Sequence, residues 1–212
     1  MANAVFSPGD LSSPLSISPH ETAVLLMDYQ NMTLAGIGDV AATSVLNIAS
    51  QMRDWALDKE MTVFHCLIDA SPGSKPPDHS RIAAGWKMYE TKLAGKPWYG
   101  REAETLADKR HPDRELTFVR TPGFISALES HGLSSLLKEK GVKSLIIGGI
   151  TTSGCVLSTT RAATDRGYIV TVMEDACFDP VPGVHGMLVT HVLPISAHVA
   201  TSWEIQNAWK IL

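Results

Sequence analysis

The chain has 212 residues, 44% of them apolar and 19% charged, with a formal net charge of -4. This is enough apolar side chain for one well-packed α/β domain, and the length makes two large domains implausible. Nucleic acid and anionic membrane surfaces are poor partners for it, because no Lys/Arg cluster supplies a basic face and no apolar run reaches the length of a bilayer span.

Residues 1–20 lack both a basic start and a continuous apolar core, so no conventional signal peptide is expected. They read as a Ser/Pro-rich arm ahead of a single domain over 21–212. Cys66, Cys155 and Cys177 stand at no metal-like spacing, which argues against a disulfide framework or zinc knuckle and for a reducing, cytoplasmic setting.

The run TAVLLMD, ending at Asp28, is a compact apolar strand that finishes in an acid. Val45, Ile48, Met52 and Trp55 then recur at helical spacing, and TVFHCLI, residues 62–68, is a second buried strand. Together these form a βαβ unit with Asp28 at the carboxyl end of its first strand. From Asp69 to Glu115 the periodicity fails: five prolines interrupt it, among Trp86, Tyr89, Trp98 and Tyr99. So long a segment between strands suggests an active-site cover or an assembly surface over 69–115.

Leu116 to Val119 reads as a third strand ending at Arg120. Leu133, Leu136 and Leu137, with Gly141 as a stop, give the next helix. SLIIGGI, residues 144–150, is a buried fourth strand, and Gly154 to Arg166 carries a helical pattern stopped by Gly167. A fifth strand runs from Tyr168 to Met173 and ends at Glu174 and Asp175. The stretch Val189 to Val199 supplies a last one before a helix holding Trp203 and Trp209. Such alternation implies a mostly parallel sheet with helices on both faces.

Asp28, Arg120 and Cys155 each follow an expected strand, and parallel strands bring those ends to one edge, where open α/β sheets bind ligands. The chemistry they can share is nucleophilic hydrolysis. Cys155 would attack a carbonyl carbon, Asp28 would take the thiol proton and pass it to the leaving group, and a cation would balance the charge. At the start of a helix the thiol would also feel the positive dipole end, which lowers a thiol pKa. Backbone N–H groups of Thr151 and Cys155 would form an oxyanion hole.

Each residue has a plainer alternative. A lone cysteine is often a buried structural one, and an aspartate at a strand end often a turn former. Gln30 and Asn31 either touch substrate or satisfy the loop after the first strand. Trp86, Tyr89, Trp98 and Tyr99 line a substrate pocket, form an oligomer contact or simply pack. His65, inside an apolar strand, reads as a core histidine; His185, His191 and His198 read as structural, and Cys66 and Cys177 as small buried hydrophobes.

The stretches TAVLLMDYQN and IGGITTSGCVL, the latter continued by STTRAATDRGYIVTVMEDACFD, resemble the isochorismatase-like cysteine hydrolases. That family includes nicotinamidases, carbamoylsarcosine and biuret amidohydrolases, and isochorismatase itself. The resemblance runs from about residue 20 to the C-terminus and is weakest across the cover. It implies a three-layer, Rossmann-like α/β fold with a six-stranded, mostly parallel sheet, a catalytic Asp28 and Cys155, and a cis peptide at Ile150-Thr151. It also implies a small-molecule substrate, no cofactor, and a homodimer or homotetramer.

Two departures stand out. The family's third catalytic residue is a lysine at the end of the third strand, before Ser-Ala-Phe or Gly-Ala-Phe, whereas this chain has no lysine between Lys109 and Lys138. LTFVRTPGFISAL offers Arg120, while aligning on Ser126-Ala127-Leu128 puts Pro122 there instead. Arginine supplies charge but is too basic to shuttle a proton, so the acid role would fall on Asp28 or water. Metal-binding members carry Asp-x-His after the second strand; Asp69-Ala-Ser71 lacks that histidine, His79 reads as a loop residue, and no metal is expected. Cys155 favours hydrolysis of a C–N bond through a thioester. Two alternatives stay open: vinyl-ether hydrolysis of isochorismate, with Arg120 pairing an anionic substrate, and a catalytically silent binding or assembly protein, which the missing lysine favours.

Overall fold

The computed structural model describes residues 6–7, 9–109 and 111–210. The first apolar run becomes β1 (Thr22–Met27), buried along its whole length. Its successive side chains point to opposite faces: Val24 and Leu26 enter one core, Ala23, Leu25 and Met27 the other. After the short α1 (Asn31–Leu34), α2 (Asp39–Asp58) buries Val45, Ala49, Met52 and Ala56, one stripe at helical spacing, and β2 (Thr62–Ile68) follows. The chain continues through α3 (Ala83–Leu93), α4 (Glu104–Ala107), β3 (Glu115–Arg120), α5 (Leu133–Glu139) and β4 (Ser144–Ile150). It ends with α6 (Leu157–Asp165), β5 (Ile169–Phe178), α7 (Val184–Met187), β6 (His198–Ala200) and α8 (Ser202–Ala208).

Among the described residues the six strands form one sheet in the order β3-β2-β1-β4-β5-β6, every pairing parallel. Residues of α2, α4 and α8 fill the core on one face, and those of α5 and α6 the core on the other. Strand order reverses between β1 and β4, so a crevice opens at their carboxyl ends, where Asp28 and Cys155 lie. Among the described residues no helix is long and apolar enough to cross a membrane.

Three expectations need correction. β5 does not end at Met173 but runs on to Phe178, with a shift in register against β4: Ile147 pairs with Val172 and Gly149 with Cys177. Asp175 sits inside that strand because its carboxylate accepts from Ser202 N at 2.8 Å and Ser202 Oγ at 2.5 Å, anchoring the start of α8. Of Val189 to Val199, only the end is strand; Leu188–Val192 is a π-helical turn. The cover contains α3, which buries only Trp86 and so shows no apolar stripe in the sequence.

A buried charge cluster ties the cover to the sheet. His65 on β2 contacts Glu102 through Nδ1 at 2.5 Å and Glu115 on β3 through Nε2 at 3.0 Å. Lys109 Nζ reaches the other oxygen of Glu102 at 3.1 Å, and Arg53 of α2 lies 3.8 Å from Glu115 while donating to the Thr105 carbonyl at 2.9 Å. Next to this cluster, Gln30 pairs with Glu102 in an isolated antiparallel bridge, and Ala103 N donates to Tyr29 O. The far end of the cover is thereby stitched to the turn after β1.

This cluster makes stability depend on acid. Burial alone would raise the Glu102 carboxyl, but its hydrogen bond to His65 and the Lys109 charge hold it below its ordinary value of 4.5. A folded-state value below the unfolded one contributes stability that is complete above the ordinary Glu range and lost as pH falls through the folded value. The urea midpoint is therefore expected to fall below about pH 4, and Glu102→Gln to flatten that part of the profile. An unchanged pH dependence in the variant would contradict this.

Candidate active site

Asp28 leaves β1 in the left-handed region, φ +59°, a conformation that aspartate tolerates better than most residues. Its N–H donates to Cys66 O at 2.9 Å and its carbonyl accepts from Thr33 Oγ1, which fixes the turn. Arg120 is the last residue of β3, two strands away, and its length spans the gap. Nη1 donates to Asp28 Oδ1 at 2.9 Å and Nη2 to Oδ2 at 2.5 Å, while Nε donates to Phe124 O at 2.9 Å. Both side chains are buried. Pro122 also faces the cavity but carries no charge, so Arg120 is the residue that meets Asp28.

Cys155 lies in a π-helical turn, Thr152–Val156, that precedes α6, so the helix begins later than its sequence pattern suggests. Its thiol donates to the Thr151 carbonyl at 3.7 Å, and Cys155 and Asp28 line the same cavity, close enough for the carboxylate charge to act on the thiol. The expected lowering of the thiol pKa is not what this setting produces. Burial, reinforced by the Asp28 charge, pushes the thiol well above its ordinary value against the opposing pull of Arg120. Burial likewise raises the Asp28 carboxyl, with Arg120 and the thiol pulling the other way. The resting thiol is thus neutral, beside the charge of the Asp28 carboxylate.

The Ile150-Thr151 peptide is cis. Two contacts that the sequence did not reveal hold the cysteine turn. Ser153 N donates to the buried Asp179 at 2.8 Å, and Thr152 Oγ1 is 2.9 Å from His185 Nδ1. The only signal for the first was the acid closing the run MEDACFD. Gly149 in β4 has a close-approach role: a Cβ there would lie 2.7 Å from both Met27 Cβ and the Met27 carbonyl oxygen, and 3.3 Å from Cys155 Sγ.

A cavity of about 220 Å³ opens above these residues. Asp28, Thr33, Arg120, Thr151 and Cys155 supply its polar lining, and Ile68, Ile82, Trp86, Tyr89, Phe124 and Ile125 much of its apolar wall. Trp86 is fixed by donating Nε1 to Ser74 O at 3.0 Å. The other aromatic and amide candidates are elsewhere. Gln30 does not line the cavity: its side chain donates to Ile68 O and Gly100 O and accepts from Ile68 N. Trp98 and Tyr99 also lie off the wall, packed edge to face on each other, with Trp98 54% exposed. Asp69 spends one carboxylate oxygen on Ser71 N and Oγ, and His79 is exposed.

Residues 22–204 match the model of the Isochorismatase domain family. The chain is similar to the ureidoacrylate amidohydrolase RutB of Caulobacter vibrioides, 28% identical over 188 residues that cover 80% of this chain and 82% of that protein. Among solved structures it resembles a cysteine hydrolase from Pseudomonas syringae pv. phaseolicola, with a TM-score of 0.74 and 18% identity over 92% of this chain and 95% of that one. It also resembles N-carbamoylsarcosine amidase from Thermoplasma acidophilum, with a TM-score of 0.65 and 16% identity over 85% and 96% of the two chains. The family match takes in every strand of the sheet and both stretches that carry Asp28 and Cys155, and this chain therefore belongs to the isochorismatase family of hydrolases.

Proposed function

We propose that this hydrolase cleaves a C–N bond of a small amide or ureide through a thioester on Cys155. The observation that carries this reading is that Cys155 and Asp28 line one cavity, in which Arg120 grips the Asp28 carboxylate through both oxygens. A nucleophile that shares a cavity with its base needs no preformed thiolate. As Sγ attacks the carbonyl carbon its proton passes to Asp28, and the developing oxyanion is met by the N–H groups of Thr151 and Cys155. When the tetrahedral species collapses, the departing nitrogen takes the proton from Asp28. Water then attacks the thioester, gives a proton to Asp28, and the acid leaves as Sγ recovers that proton. Arg120 stays charged throughout, so it steadies the carboxylate and transfers no proton.

Similarity to the ureidoacrylate amidohydrolase supports C–N hydrolysis, and ureidoacrylate belongs in the first panel of small amides and ureides to be tested. The vinyl-ether reading took Arg120 as the charge partner of an anionic substrate, but its charge is already paired with the Asp28 carboxylate. The experiment is turnover of that panel with acid-quenched intact mass. A mass gain equal to the acyl group is expected on wild type and not on Cys155→Ala, which should also lose turnover. Turnover that survives in Cys155→Ala would overturn the thioester.

A further inference from the structure

The geometry points to uncharged amides with an apolar body as the substrate class of this site, an inference that rests on the C–N hydrolase reading. The charges come first. Among the described residues that line the cavity, Asp28 and Arg120 are the charged ones, and they cancel each other. Arg120 has Nη1 and Nη2 on the two oxygens of Asp28 and Nε on the Phe124 carbonyl, so although each terminal nitrogen keeps a second N–H, its positive charge is already matched by a buried carboxylate. A substrate carboxylate entering here would lose its hydration without gaining a counter-charge, and any pull it exerted on Arg120 would weaken the grip on the base.

The walls agree with the charges. Trp86 and Tyr89 reach the cavity from α3, and Ile68 and Ile150 add to its apolar wall, so the polar lining is confined to Asp28, Thr33, Arg120, Thr151 and Cys155. The rim is apolar as well: Ile82, Phe124 and Ile125 are 37%, 54% and 44% exposed where they border the cavity. Apolar side chains left open to water at a cavity mouth mark a surface that gains by being covered. The volume of about 220 Å³ lies below the ~300–1,000 Å³ of sites for drug-sized ligands, so the body it accepts is small. The reacting amide would sit at the polar floor, with its hydrocarbon part toward Trp86, Tyr89 and Phe124.

A matched pair tests this. 4-Methylpentanamide and succinamate have the same chain length and branching, and differ in carrying an isopropyl group or a carboxylate at the far end. Ammonia release by wild type is expected to favour the neutral amide by about 100-fold or more in kcat/KM. Ligand-observed NMR on Cys155→Ala, where no turnover intervenes, should show it binding at least about tenfold more tightly. Ile125→Arg, which places a cation on the exposed rim, should narrow the wild-type preference by about tenfold by raising succinamate. Equal or better binding of succinamate would overturn the substrate class, and the C–N reading would still stand if Cys155 remained necessary for turnover. Binding preference with no cleavage of either amide, nor of any amide or ureide in the panel, would instead remove the C–N reading and keep the preference for neutral ligands. If Ile125→Arg changed the oligomer mass and left the ratio untouched, the rim would belong to a subunit contact and its part in the proposal would fall.

Discussion

Asp28→Asn will lower kcat/KM by about 100- to 10,000-fold, the range associated with a single positioned proton-transfer group. Asparagine keeps the shape of the side chain but accepts no proton from the thiol, and the thiol cannot compensate, since burial keeps it protonated. The same substitution leaves the buried Arg120 without its counter-charge, which is expected to destabilise the fold by about 3–5 kcal/mol. These effects can be separated. Asp28→Asn combined with Arg120→Met removes the orphaned charge, so it should recover much of the lost stability and none of the activity. Burial also raises the Asp28 carboxyl above its ordinary 3.8, so the acid limb of the wild-type kcat/KM profile should lie above the usual aspartate range. Steady-state rates across pH, with urea unfolding of both variants, provide the check. A double variant as unstable as the single one would mean that the ion pair is not the source of the loss.

His65→Leu will have the largest effect on stability outside the active site, about 3–5 kcal/mol, because it strips two buried carboxylates of a shared partner. Leucine fills much the same space, so the loss should not be one of packing. Glu102 would keep Lys109, which sits nearer the surface, and the segment from Gly100 to Lys109 is expected to loosen first. Since that segment borders Tyr29 and Gln30, directly after Asp28, activity should fall along with the urea midpoint. Hydrogen exchange localises the change, and protection of the Ala103 amide, which donates to Tyr29 O, is the specific readout. A leucine variant with wild-type unfolding would show that the cluster adds nothing.

The sheet and the three meeting side chains were legible because they depend on local patterns. Short apolar runs between glycines mark buried strands, and parallel pairing then sends Asp28, Arg120 and Cys155 to one edge whatever the intervening detail. What escaped depends on distant partners. Glu174 and Asp175 look like a strand end until Ser202, far along the chain, turns out to hold Asp175 in place. Gln30 looks like a substrate contact until Ile68 and Gly100 are seen to use its whole amide. Helix α3 hid because a surface helix resting on one tryptophan has no periodic signature. The fate of the thiol was missed for a similar reason, since the helix dipole is a local effect whereas burial and the carboxylate beside it come from the tertiary structure.

The strand order carries one more consequence. Cys155 and Asp28, the proposed nucleophile and base, follow neighbouring strands in the middle of the sheet, yet Asp28 enters with the first strand of the chain and Cys155 only after the fourth. A nascent chain that has emerged as far as β3 owns Asp28 and Arg120 but not Cys155, and no second wall for the crevice. The proposed chemistry would thus arrive late in synthesis, together with the long-range pairing that completes the sheet.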